Sequence, residues 1–111
     1  MPQINFIDVL TQLENGLKQL ASTSLSEYIK DVKKDVPNML DGLKTDLETW
    51  VTGVANGDLT EKNLEYLINS KKDLIEMGTL EKIGIAAIRL DQFRVSAVQL
   101  ITNTIIGIIK I

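Results

Sequence analysis

Apolar residues recur at spacings of three and four along nearly the whole chain, and no stretch of four or more residues alternates cleanly between apolar and polar. That period belongs to a helix of 3.6 residues per turn and not to a strand, so the sequence predicts an all-α fold. Phe6, Leu10, Leu13, Leu17 and Leu20 form the first stripe, with Asp8, Asn15, Lys18 and Gln19 on the other side. They read as an amphipathic helix of about four to five turns. Ser22, Thr23 and Ser24 then break the phase, and Ser24 with Glu27 has the spacing of a capping box that would start a second helix. Its stripe is Leu25, Tyr28, Ile29, Val32 and Val36.

Pro37 is the next constraint. Lys30, Lys33 and Lys34 suit a helix end, Asp35 suits an N-cap, and proline is tolerated only in a first turn. The second helix is therefore expected to be kinked or split near Pro37, although Leu40, Leu43, Leu47, Trp50 and Val54 carry the stripe onward in phase. Asn56-Gly57 supplies a left-handed C-cap. Two starts compete for the next helix: Asp58 with Glu61 as a capping box, or Thr60 as the cap with Leu59 and Leu64 as a hydrophobic staple. Leu64, Leu67, Ile68, Leu74 and Ile75 follow, ending at Gly78.

The rest of the chain is the most apolar part. Its wide face carries Ile83, Ala87, Leu90, Val95, Val98, Ile101, Ile105, Ile108 and Ile109. Connections of a few residues force successive helices to run antiparallel. The expected architecture is an antiparallel helical bundle with four main helices, one domain over residues 1–111 without linker or internal repeat. A chain of 111 residues with 44% hydrophobic and 24% charged residues can bury such a core unaided.

Composition also removes chemistries. With no cysteine there is no disulfide, and with no histidine the usual ligand of zinc and di-iron sites and the usual base of nucleophilic triads are missing. No nucleophile elbow, phosphate-cradling glycine loop or calcium loop is present, and Asn56-Gly57-Asp58 lacks the further ligands of an EF-hand. The expectation is a protein with no enzymatic activity, no cofactor and no metal. A net charge of −3 argues against nucleic-acid binding, which draws on an excess of lysine and arginine. The N-terminus does not read as a signal peptide, which makes the expected location cytoplasmic.

Charge on apolar faces is the informative irregularity. Steps of 100° around the last helix put Asp91 and Arg94 inside the arc of Leu90, Val95, Val98 and Ile101, with Arg89 opposite. Lys71 falls among Leu64, Leu67, Ile68, Leu74 and Ile75, and a turn at Gly78 would bring it to about one helical turn from Asp91. Lys71, Asp91 and Arg94 are thus a candidate inward charged cluster. The plainer explanation is a satisfied ion pair or side chains reaching the bundle rim; the functional one is a polar pocket or partner surface. Trp50 and Tyr66 are expected to pack in the core or at its rim. Gly53 and Gly57 have the spacing that permits close helix approach.

Residues 95–109 carry no charge, but about fifteen residues with four polar side chains are too short and too polar to span a bilayer. They read as the central helix of the bundle, with a dimer seam and a membrane-active helix as alternatives. Residues 35–58 have five acids against one lysine, whereas 83–111 have three cations against one aspartate, and opposite sign favours packing together. The functional expectation is a small interaction or structural module acting through a protein partner or as a homo-oligomer. Its alternatives are membrane association through the isoleucine-rich C-terminal helix, and a small-ligand binder or enzyme built on the charged cluster.

Overall fold

A computed structural model describes residues 6–71 and 82–109. Within them the chain forms four α-helices and no strand: α1 (Phe6–Ser24), α2 (Ile29–Ala55), α3 (Glu61–Ser70) and α4 (Ala87–Ile109), with one 3-10 turn at Ser26–Tyr28. The fold is an all-α helical bundle. α1 packs against both α2 and α4, α3 packs against α4, and α2 meets α4 and α3 more lightly. Two contacts give the direction of α4 along α1. Gly16 lies against Leu100, and the Ser24 carbonyl lies 3.4 Å from Arg89, so the two helices are antiparallel.

The core follows the stripes with shifts of phase. α1 buries Val9, Leu13, Leu17 and Ala21; α2 buries Val32, Val36, Met39, Leu40, Leu43, Leu47, Trp50 and Val51; α3 adds Leu64 and Ile68. On α4 the buried face is Leu90, Phe93, Ala97, Val98, Ile101, Thr102 and Ile105. Phe93 replaces Val95 in the expected arc: it is fully buried, while Val95 is half exposed. Both readings satisfy a helical period, and only the positions of α1 and α3 select between them. Thr102 is tolerated in the core because its hydroxyl donates to the Val98 carbonyl at 2.9 Å.

Each boundary has a local cause. The expected box of Ser24 and Glu27 does not form, because residues 22–24 stay in α1, where the Ser22 and Thr23 hydroxyls donate back to the Gln19 carbonyl. The 3-10 turn that follows has no side-chain cap. α2 then continues through Pro37 as one helix rather than two. A mid-helix proline costs about 3 kcal/mol. Burying Val32, Val36, Leu40 and Leu43 on both sides of it gains about 1.5–3 kcal/mol each, so the core outweighs the break.

The end of α2 is a Schellman motif. Gly57 has φ +83°, its N–H donates to the Val54 carbonyl, and the Asp58 N–H donates to the Gly53 carbonyl at 2.8 Å. Because the N–H groups of Asp58 and Leu59 are both committed to Gly53, Asp58 does not cap α3. Thr60 does. Its hydroxyl accepts from the Asn63 N–H at 3.2 Å, and the Asn63 side chain accepts from the Thr60 N–H at 3.1 Å, making Asn63 rather than a glutamate the reciprocal partner.

Candidate functional site

The three charged candidates do not form an inward cluster. Lys71 caps the C-terminal end of α3 and is half-buried, Arg94 is half-buried, and Asp91 is exposed. Among the described residues the ion pairs are Lys18 with Glu14 and Arg89 with Glu27, so Asp91 is paired with neither Lys71 nor Arg94. By angle Asp91 falls between Val98 and Thr102, and Arg94 between Ile101 and Ile105, all four buried; Asp91 and Arg94 stand nearer the start of α4, where the same side of the helix is less covered.

The buried charged residue among those described is Asp35, on α2 two residues before Pro37. No buried side-chain nitrogen or oxygen among the described residues lacks a hydrogen-bond partner, so this carboxylate is accommodated rather than strained. Asp35 suits an N-cap by its place before Pro37, but the helix runs on through it, in line with the stripe that continues in phase from Leu40.

Arg89 makes tertiary contacts from the surface of α4. From the first turn of α4 its guanidinium donates to the Ser24 carbonyl and, at 3.2 Å, to Glu27, while lying 5.5 Å from the centre of the Tyr28 ring. It therefore ties α4 to the α1–α2 turn. The helical wheel had placed Arg89 opposite the apolar arc, and that arrangement leaves it free to reach across the bundle surface.

α3 is flanked by two grooves. Toward α4 an opening of about 360 Å³ is lined by Lys62, Glu65, Tyr66, Asn69, Val95 and Gln99, with Val98 at its base. Tyr66 is 74% exposed and Val95 49% exposed, so Tyr66 is not a core or rim packing residue. Toward α2 an opening of about 670 Å³ has Trp50, Leu59 and Leu67 as apolar lining and Glu48 and Asp58 among its polar residues. It exists because ten-residue α3 meets α2 only lightly. In the core between Leu17, Met39, Leu40, Leu43, Ala97 and Ile101 there is no room for a water molecule.

Among the described residues no group of three or more carboxylates could hold a metal ion. The uncharged stretch 95–109 is too short to span a bilayer. The whole of α4, at 23 residues, is by length and composition apolar enough to cross one, a test that the core helix of a soluble protein also passes. About a third of its most apolar stretch is buried in the bundle. These features define an all-α bundle with grooves on both sides of α3, the shortest of the described α-helices. Neither known protein families nor curated proteins nor solved structures match the chain.

Proposed function

We propose that this bundle is an interaction module that works through protein–protein contacts, with a protein partner or a second copy of itself. The observation that carries this reading is the pairing of exposed Tyr66 with exposed Val95 along the α3–α4 groove. A tyrosine that keeps its ring in solvent beside an exposed valine contributes little to folding, and tyrosine is enriched where proteins meet. Asn69 and Gln99 beside them supply the hydrogen-bonding rim such a surface uses.

Light scattering over rising micromolar concentration, combined with photo-crosslinking from residue 66, tests it. A mass above that of one chain that falls to the monomer in Tyr66→Ser supports self-assembly, and a specific protein crosslinked through residue 66 supports a partner. A monomer at every concentration with no protein crosslinked rejects the reading. Membrane association is the second reading, supported by the length and apolar composition of α4. It requires α4 to leave the bundle, and co-sedimentation with liposomes measures it directly.

A further inference from the structure

We infer that the groove between α2 and α3 receives a cationic amphipathic helix of a protein partner, an inference that rests on the interaction-module reading and names the chemistry of the partner. The groove has two kinds of lining. Leu59 and Leu67, only partly covered by the rest of the bundle, form an apolar strip beside Trp50, which is itself buried at the floor of the groove. Glu48 and Asp58 are exposed at the same opening, and among the described residues neither is held in an ion pair.

The surrounding charge has the same sign. Residues 41–58 carry four acids against Lys44 alone, so the charge beside the groove is net negative. Glu48 stands about two turns before the end of α2 at Ala55, beyond the reach of the helix dipole, so its charge is answered by neither helix end. An apolar floor with an acidic rim complements a helix whose apolar ridge is flanked by lysine or arginine. A groove bordered by residues 48–53 of α2 admits about one and a half turns of such a helix. The same carboxylates repel an anionic lipid surface.

Trp50 is the only tryptophan of the chain and lines this groove, so its emission reports on occupancy. The probes are two synthetic helical peptides without tryptophan, one of leucine and lysine and one of leucine and glutamate in the same pattern, titrated into the full chain by fluorescence and calorimetry. The expected result is a saturable change in Trp50 emission with the lysine peptide only. Its affinity should fall at least tenfold in the Glu48→Lys/Asp58→Lys variant, and also fall in the milder Glu48→Gln/Asp58→Asn variant, with the helical circular dichroism of both retained. Equal binding of the two peptides, or no saturable change with either, overturns the inference. So does a change in the mass of the unliganded protein on charge reversal without peptide binding, because a second copy then fills the groove. If the peptide result fails while Tyr66→Ser still abolishes association, the interaction-module reading stands and only this groove is lost.

Discussion

Leu59 sits on the bare backbone of Gly53: a Cβ built on Gly53 would lie 2.7 Å from Leu59 Cδ1 and 2.9 Å from its Cγ. The same glycine accepts the N–H groups of Asp58 and Leu59 through its carbonyl, so one residue both ends α2 and seats the side chain that begins the link to α3. Gly53→Ala should therefore destabilise the fold by about 1–3 kcal/mol through overpacking, despite the roughly 1 kcal/mol that alanine gains in a helix. The double change with Leu59→Ala should remove the clash penalty. Gly42 is the control within the same helix, since a Cβ there meets nothing, and Gly42→Ala should stabilise by about 0.5–1 kcal/mol in urea unfolding.

Arg89 joins three partners at the α1–α2 turn. The ion pair is a surface one, with the Glu27 side chain 66% exposed, so Glu27→Gln should cost less than about 1 kcal/mol and its effect should shrink as salt is added. Arg89→Ala should cost more than Glu27→Gln, because it also removes the ring contact with Tyr28 and the bond to Ser24. Equal midpoints for the two variants would show that the carboxylate is the only partner that counts.

Asp35 and Asp91 should behave oppositely. Asp91 is exposed, and Asp91→Ala should change stability by about 0–1 kcal/mol. Asp35 is 2% exposed and its buried oxygens are satisfied, so Asp35→Ala strips acceptors from buried surroundings and should cost about 1–3 kcal/mol. Chemical unfolding midpoints of the two single variants measure the difference.

The reciprocal bonds of Thr60 and Asn63 predict that Thr60→Ala costs about 1 kcal/mol while Thr60→Ser costs much less. Because α3 has only ten residues, its loss of order should be local. Hydrogen exchange over Glu61–Ser70 should accelerate in Thr60→Ala before exchange in α1 changes.

Periodicity alone determined that the chain is helical and where Asn56-Gly57 ends a helix. These are properties of neighbouring residues: a stripe, a missing N–H or a tolerated positive φ acts within a turn or two. Tertiary structure decided which of two adjacent arcs of α4 faces inward, because Phe93 and Val95 both satisfy the helical period and only packing against α1 and α3 distinguishes them. That choice left Val95 half exposed beside Tyr66 of α3 along one groove. It was also packing that held α2 together through Pro37 and made a buried residue of Asp35. The link from Arg89 to Glu27 joins residues 62 positions apart, a separation no local pattern encodes, because what brings them together is the antiparallel docking of α4 on α1.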